Sequence, residues 1–211
     1  RVPGAHLTIA TPIIDWSSAY DFAGLADATD GLMLMAYGCK WNGAPTAGPV
    51  SPLDSSTFWG RCSIEDAIDT YLGAMGTERR DKLIVGLPWY GHRWQTATGE
   101  PKANALATGS SVFWHACAPL LETHGPRWDE TSQSAWTTWV DAGKTYQAWC
   151  DDPEAFTRRL QRIVSHDVAG AGIWALGYEA DDARWWSAIS ANFGRAPETN
   201  TPPVAHAGDD V

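Results

Sequence analysis

The sequence predicts an α/β fold built on parallel strands, and two observations support this prediction. Four short apolar segments recur along the chain, and a helical pattern follows each one, directly or after a loop. Such alternation is typical of parallel strands with right-handed crossovers, in an open doubly wound sheet or in a (β/α)8 barrel. The phosphate-binding turn Gly-x-Gly-x-x-Gly is missing after the first segment, which favours the barrel.

The predicted strands and helices follow from local patterns. The strands are residues 6–11, 31–37, 82–88 and 170–176. None of them alternates between polar and apolar residues, as expected for strands that are covered on both faces. The helices are residues 19–28, 63–75, 153–166 and 182–193. Ser63 followed by Asp66 is typical of a helix start, and Pro153 fits a first helical turn.

Residues 92–147 interrupt the repeat. They contain a helical pattern at 110–122 and two Trp-rich strand patterns at 127–135 and 135–140. Because a structureless loop of this length is improbable inside a compact domain, we predict a small α+β insertion within one domain at 1–194. From residue 195 the chain is rich in Pro, Thr and Asp without an apolar face, which predicts a linker over 195–211.

Composition limits the class of partner. With 44% hydrophobic and 19% charged residues, the chain can bury a large core. A net charge of −10 argues against nucleic acid and anionic membranes, which both need clustered Lys and Arg. The 13 Trp residues are unusually many, and an exposed indole suits stacking on a neutral sugar ring. We expect no cofactor, and His115, His124 and His166 lack metal-ligand spacing.

The four cysteines allow three pairings. We favour Cys39 with Cys62 and Cys117 with Cys150, because each pair would close a long loop of its own. Four free buried thiols are an open alternative. An even number of cysteines is compatible with an oxidising compartment.

Four segments, in order, resemble the C-terminal half of family 18 glycoside hydrolases, the chitinase-like enzymes. They are MAYG (35–38), AGPVSPLD (47–54), KLIVGLPWYGHRW (82–94), and QAWCDDPEAFTRRL (147–160) followed by GAGIWALGYEADDARWW (170–186). The resemblance covers about residues 1–193. It implies strands five to eight of a TIM (β/α)8 barrel, with the α+β insertion after strand seven. Residues 200–211 are similar to the start of a polycystic-kidney-disease-type β-sandwich repeat.

The resemblance implies a substrate-assisted retaining hydrolysis of β-1,4-linked N-acetylglucosamine polymers such as chitin. In this reaction the sugar's 2-acetamido oxygen attacks the anomeric carbon while a Glu protonates the leaving oxygen. The family's acid motif D-x-x-D-x-D-x-E does not occur here. We therefore expect the acid to lie upstream and this chain to be inactive alone. The alternative is a non-catalytic, chitinase-like glycan-binding lectin.

The resemblance also implies roles for particular residues. Tyr37 would donate its hydroxyl to the acetamido oxygen, and Met35 would shape the pocket for the acetyl methyl group. Trp174 would form the floor under the sugar. Further substrate contacts are expected from Tyr90, His92 and Trp149. His92 stands where the family commonly has Arg, so it would offer one donor and titrate near neutral pH.

Other departures and expectations complete this picture. Gly38 replaces the family's Asp, which removes a carboxylate near the sugar. The pair Asp151 and Asp152 is interpreted as a solvated helix start. Four parallel strands alone would leave open edges and an exposed apolar face. We therefore expect this chain to pair with a missing N-terminal half-barrel or with a second copy. By resemblance, the protein is expected to be secreted.

Overall fold

The structure is a computed structural model that describes residues 5–194. The predicted linker at 195–211 and the possible start of a β-sandwich repeat lie outside the described residues.

The strands, in chain order, are β1 (Thr8–Pro12), β2 (Gly31–Met35), β3 (Leu83–Pro88), β4 (Tyr90–Thr96), β5 (Ser110–Phe113), β6 (Arg127–Asp129), β7 (Ser134–Asp141), β8 (Lys144–Trp149) and β9 (Gly170–Trp174). The helices are α1 (Phe22–Ala28), α2 (Ile64–Met75), α3 (Trp114–His124), α4 (Pro153–Ser165) and α5 (Ala183–Phe193), with a 3-10 turn at Thr77–Lys82. None of the helices within residues 5–194 combines the length and apolar character needed to cross a bilayer.

The four predicted parallel strands form one sheet, in the order β1-β2-β3-β9. All three neighbouring pairs are parallel. The predicted α/β class is therefore confirmed. The second strand ends at Met35 and not at Tyr37, because the backbone turns at Tyr37, whose N–H donates to Met35 O at 2.8 Å.

The interrupting segment is larger than predicted. A second, antiparallel sheet has the order β5-β4-β8-β7-β6 and runs from Tyr90 to Trp149, which corrects the predicted bounds of 92–147. It has five strands, whereas the sequence patterns predicted two. The first four residues of the predicted helix at 110–122 form β5 instead, and α3 follows them. The sequence contains a signal for β4, since large side chains alternate with smaller or more polar ones along YGHRWQT.

Side-chain caps set where the helices begin. Ser63 Oγ accepts from Asp66 N at 3.1 Å, as the sequence predicted. The predicted helix from residue 19 starts later, at Phe22, because Asp21 Oδ1 accepts from Gly24 N at 2.9 Å. Before it, the Asp15 carboxylate holds the loop through the backbone N–H groups of residues 19 and 20.

The two faces of the parallel sheet differ. One face packs against the helices and buries a core that includes Leu34, Val85, Ile68, Leu160 and Trp185. The opposite face, here called the open face, carries the alternate residues of the same four strands. These are Thr8, Ala10, Pro12, Met33, Met35, Ile84, Gly86, Pro88, Gly170, Gly172 and Trp174, and most of them are partly or fully exposed. No layer within residues 5–194 covers this face as the helices cover the other.

Both favoured disulfides are present. Cys39–Cys62 joins the loop after β2 to the start of α2, with a Cα–Cα distance of 5.6 Å. Cys117–Cys150 joins α3 to the segment after β8, with a Cα–Cα distance of 6.6 Å. In the loop-entropy description, closing loops of this size stabilises the fold by about 3–4 kcal/mol each.

Candidate functional site

The carboxyl ends of β2, β3 and β9 bring four of the predicted site residues to one edge of the open face. Met35 ends β2, Tyr37 lies two residues beyond it on the same face, and Tyr90 begins β4 just after β3. Trp174 ends β9, opposite Pro88 of β3. Parallel strands present their carboxyl ends at the same edge, so these side chains share one surface.

Two glycines make room for the larger side chains of Tyr37 and Met33 at the centre of this surface. Gly86 and Gly172 lie opposite each other on β3 and β9. A Cβ on Gly86 would lie 2.9 Å from Leu34 O and 3.5 Å from Tyr37 Cε1, and a Cβ on Gly172 would lie 2.8 Å from Met33 Cε. The missing side chains therefore let the Tyr37 ring and the Met33 side chain lie across the neighbouring strands.

Two tyrosines form the polar part of the site. The rings of Tyr37 and Tyr90 meet edge to face, with centroids 6.2 Å apart. Burial raises the pKa of the Tyr37 hydroxyl. Burial, with smaller contributions from Tyr37 and Tyr178, raises the pKa of Tyr90 to about 12. Both phenols are therefore protonated at neutral pH and are able to donate hydrogen bonds.

His92 lies behind Tyr90 and is only 5% exposed. Its ring meets the Tyr90 ring edge to face at 5.4 Å, and its Nδ1 lies 3.4 Å from Ser111 Oγ. Burial lowers the pKa of His92 to about 4, and a hydrogen bond from the ring to the backbone of Ser110 opposes this shift more weakly. This corrects the expectation of titration near neutral pH: the imidazole is neutral there, and it supports Tyr90 instead of facing solvent.

Trp149 lies in the core and not on the open face. It is 1% exposed and stacks on Trp136, with centroids 4.9 Å apart and planes 6° apart. Its Nε1 donates to Gln147 Oε1 at 2.9 Å. This packing corrects the expected place of Trp149 in the site, because its ring is not available to a ligand in this structure. The reason is the pairing of β7 with β8, which sets Trp136 opposite Trp149.

Trp174 is the exposed aromatic of the site. Trp174 is 53% exposed. Its backbone is held in place, because its carbonyl oxygen accepts a hydrogen bond from the Trp89 N–H at 2.8 Å. The peptide bond between Trp174 and Ala175 is cis. An exposed indole on a fixed backbone presents a flat apolar surface at the strand end.

A buried network that the sequence patterns did not predict holds the backbone before Tyr37. Ser51 Oγ donates to Ala36 O at 2.6 Å. The Arg159 guanidinium donates to Ser51 O through Nε at 3.0 Å and through Nη2 at 2.6 Å. Ser51, Ala36 and Arg159 are all fully buried. Ser51 and Arg159 therefore connect the peptide that precedes Tyr37 to α4.

Asp151 belongs to the same network. Its Oδ2 lies 2.9 Å from Arg159 Nε, and its side chain is almost completely buried. Burial raises the pKa of Asp151 to about 6, and the Arg159 charge opposes this shift. Asp152 alone behaves as predicted for a helix start, since it caps α4 by accepting from Ala155 N at 2.8 Å. The interpretation of Asp151 as a solvated residue is wrong.

Away from the open face, the ligand atoms of Glu65, Asp69 and His166 lie within 4.8 Å of one another. His166 has no metal-ligand spacing to these two acids in the sequence, because the contact joins α2 to the end of α4, and these elements are far apart in the chain. Glu65 Oε2 already accepts from Arg162 Nη1 at 2.7 Å and lies 2.9 Å from His166 Nε2. The Arg162 guanidinium thus already contacts the Glu65 oxygen that a metal ion would need, and we assign no metal site to these residues.

The amino-acid sequence is similar to those of two curated proteins, each over about half of that protein's length. The chain is 23% identical over 219 residues to "Probable di-N-acetylchitobiase 1" of Dictyostelium discoideum, covering 87% of this chain and 55% of that protein. It is 25% identical over 191 residues to "Di-N-acetylchitobiase" of Mus musculus, covering 78% of this chain and 48% of that protein. The chain thus spans about half the length of the curated relatives it matches.

A solved structure agrees at the level of the fold. The crystal structure of a GH18 chitinase from Cycas revoluta in complex with (GlcNAc)3 superposes with a TM-score of 0.75 and 20% identity, over 90% of this chain and 56% of that one. Residues 4–179 match the family model described as "Glycosyl hydrolases family 18". This match covers most of the chain and includes Tyr37, Tyr90 and Trp174. The chain therefore belongs to glycosyl hydrolases family 18.

Proposed function

We propose that the complete protein hydrolyses β-1,4-linked N-acetylglucosamine polymers, chitin or a related glycan, by a substrate-assisted retaining mechanism. The observation that carries this proposal is the convergence of Met35, Tyr37, Tyr90 and Trp174 at one edge of the open face. A thioether, two protonated phenols and an exposed indole match an N-acetylated sugar, which has a methyl group, polar oxygens and an apolar ring face.

We further propose that the four parallel strands β1, β2, β3 and β9 are strands five to eight of a TIM barrel. Parallel sheets are normally covered on both faces, whereas only the helix-bearing face is covered here. The relatives are about twice as long as the matched region, which leaves room for a preceding half-barrel. That half would close against the edges β1 and β9. A second copy of this chain is the other partner that could cover the open face.

In the proposed reaction the protein's residues orient the substrate's own nucleophile. Tyr37 donates its hydroxyl to the acetamido oxygen and stabilises the charge that develops as this oxygen attacks the anomeric carbon. The raised pKa of Tyr37 keeps the required proton in place. Met35 contacts the acetyl methyl group, Trp174 supports the ring face, and Tyr90 positions Tyr37 through the edge-to-face contact.

The general acid must come from another part of the protein. Among the open-face side chains of the four described strands, none is a carboxylate. A Glu upstream would give its proton to the leaving oxygen as the glycosidic bond breaks, and water would then open the cyclic intermediate with retention of the β configuration. This chain alone is accordingly proposed to be inactive.

The convergence of Tyr37 and Trp174 also fits one alternative, a lectin that binds the glycan without cleaving it. The two functions share Tyr37 and Trp174 and differ in the residue that ends the acid motif upstream. A Glu there supports hydrolysis, and a neutral residue supports binding alone.

We also propose that the protein is extracellular, since both disulfides suit an oxidising compartment.

The decisive experiment incubates the complete protein with a hexamer of β-1,4-linked N-acetylglucosamine and follows the products by proton NMR. The proposal expects cleavage with the β anomer formed first, before mutarotation. Cleavage that gives the α anomer first would contradict the retaining mechanism. Binding of the hexamer without cleavage would establish the lectin, and neither binding nor cleavage would refute both functions.

A further inference from the structure

The antiparallel sheet has a second surface that the proposed catalytic function does not use. Register pairs Gln95 of β4 with Tyr146 of β8, and Tyr146 with Trp139 of β7. Residues directly opposite one another point to the same face of a sheet, so these three side chains share a face. His92 and Trp149 lie on the other face because side chains alternate along each strand.

A hollow of about 440 Å³ lies on this face. It is here called the outer groove and is lined by the segments 93–95 and 107–110 together with Trp139, Asp141 and Tyr146. This size is within the usual range of small-molecule sites. All of its lining residues come from the stretch 93–146, so the groove is built by the antiparallel sheet and its loops.

Two stacked aromatic rings, Trp139 and Tyr146, line the outer groove, and His124, which is not part of the lining, stacks on Trp139. The rings of His124 and Trp139 are stacked with planes 5° apart, and those of Trp139 and Tyr146 are stacked with planes 19° apart. The centroid separations are 4.9 Å and 5.5 Å. Trp139 and Tyr146 are only partly buried. Mutual stacking fixes the orientation of the rings, so a ligand that packs against Tyr146 meets a surface that is already ordered.

The remaining lining is polar and nearly balanced in charge. Arg93 Nε donates to Ser110 Oγ at 3.0 Å, which holds the guanidinium at the rim. Asp141 supplies one carboxylate and Gln95 one amide, so the groove offers both donors and acceptors. Phosphate-binding sites contain clustered cations, whereas the lining of this groove contains one cation, Arg93, and one anion, Asp141. A neutral ligand with many hydroxyl groups and one apolar face fits this lining best.

We propose that the outer groove is a second glycan-binding site, which holds one or two sugar rings of the same N-acetylglucosamine polymer that the open face binds. The choice of polymer rests on the proposed function. Because the groove and His92 occupy opposite faces of one sheet, the two sites hold separate segments of polymer. The groove would thus retain the protein on an insoluble substrate while the open face binds another strand.

The test titrates the complete protein with a trimer of N-acetylglucosamine by calorimetry. The sugars of this trimer are joined through sulfur, so that the protein does not cleave it. The variants are Tyr146→Ala for the outer groove and Trp174→Ala for the open face. Circular dichroism checks that each is folded. Arg93→Ala is the second groove variant, because this exposed side chain is removed without disturbing the stacked rings.

We expect two trimers per molecule of the complete wild-type protein, one in the outer groove and one on the open face. Tyr146→Ala and Arg93→Ala should weaken one of these events by about tenfold, the value of one lost aromatic or polar contact, and leave the other unchanged. If both groove variants bind like the wild type, or if the wild type binds no trimer, the outer groove is not a glycan site. If Trp174→Ala binds like the wild type while Tyr146→Ala is weakened, the groove stands and the proposed role of the open face fails.

Discussion

The Ser51 hydroxyl donates a 2.6 Å hydrogen bond to the carbonyl oxygen of Ala36, inside the core and directly before Tyr37. Ser51 is in turn fixed by Arg159 of α4. The loop after β2 and a helix from the end of the domain thus meet at the peptide that sets the direction of the Tyr37 ring. Precise orientation is what a donor to a developing charge requires, because a preorganised group needs no rearrangement during the reaction.

Ser51→Ala should therefore affect turnover more than substrate binding. The variant leaves a buried carbonyl oxygen without its donor, which costs about 1–3 kcal/mol of unfolding free energy. With the complete protein and an N-acetylglucosamine oligomer, we expect kcat to fall and KM to change little. Ser55→Ala is the matched control, since Ser55 lies on the same loop but bonds to the partly exposed Asp66. Equal losses of kcat in both variants would contradict a positioning role for Ser51.

Tyr37→Phe tests the proposed chemistry directly. The substitution keeps the ring over Gly86 and removes only the hydroxyl, so the unfolding free energy should change little. Loss of one donor to a developing oxyanion typically lowers kcat by about 100-fold or more. Steady-state kinetics of the complete protein measures this, with the surface variant Tyr20→Phe as the control. Wild-type turnover in Tyr37→Phe would remove this hydroxyl from the mechanism.

Trp174→Ala and Trp186→Ala form a matched pair, because both indoles are about half exposed. Trp174 lies on the open face, whereas Trp186 packs edge to face on the buried Trp89 at 5.3 Å. We expect Trp174→Ala to weaken oligosaccharide binding by about tenfold, with little change in Tm. Trp186→Ala should lower Tm and leave the affinity unchanged. The reverse pattern would place the sugar on the helix layer and not on the open face.

The sequence predicted the parallel sheet well, because a strand with few polar side chains on either face gives an unbroken apolar run that one segment reveals by itself. It also identified Tyr37 and Trp174 as strand-end residues. The burial of Trp149 was not predictable in this way, since it depends on which strand lies beside it and on the stacking of Trp136. The contact between Ser51 and Arg159 joins positions 108 residues apart, and no local pattern carries it.

The pKa of His92 predicts a pH dependence of stability. The pKa is lowered to about 4 in the folded protein, against an ordinary value of 6.5, so the unfolded chain binds more protons between these values. The stabilising contribution of neutral His92 is therefore complete above about pH 6.5 and is lost as the pH falls towards 4. Urea unfolding at several pH values should show a smaller loss of stability over this window in His92→Gln than in the wild type.

Asp151 acts in the opposite direction over part of that window. Its pKa is raised to about 6 from 3.8, so the folded state binds more protons and stability decreases as the pH rises between these values. The raw pH profile of stability contains the contributions of both groups. The difference between His92→Gln and the wild type isolates the contribution of His92. A profile of His92→Gln identical to that of the wild type would contradict the assigned burial effect.

The open face predicts self-association of the 211-residue chain. Partly exposed apolar side chains such as Met33 and Ile84 lie between the unpaired edges of β1 and β9 within the described sheet, and such a surface favours pairing with another sheet. Ala10→Glu places a charge on the open face of β1, and Ala74→Glu places the same charge on the exposed side of α2.

Size-exclusion chromatography with light scattering should show a concentration-dependent oligomer for the wild type and for Ala74→Glu, and a shift towards monomer for Ala10→Glu. Adding the proposed N-terminal half should replace the self-associated form with a one-to-one complex, because both partners compete for the same face. A dilute and stable wild-type monomer that binds no hydrophobic dye would show that the open face needs no cover, and the half-barrel proposal would then lose its main physical support.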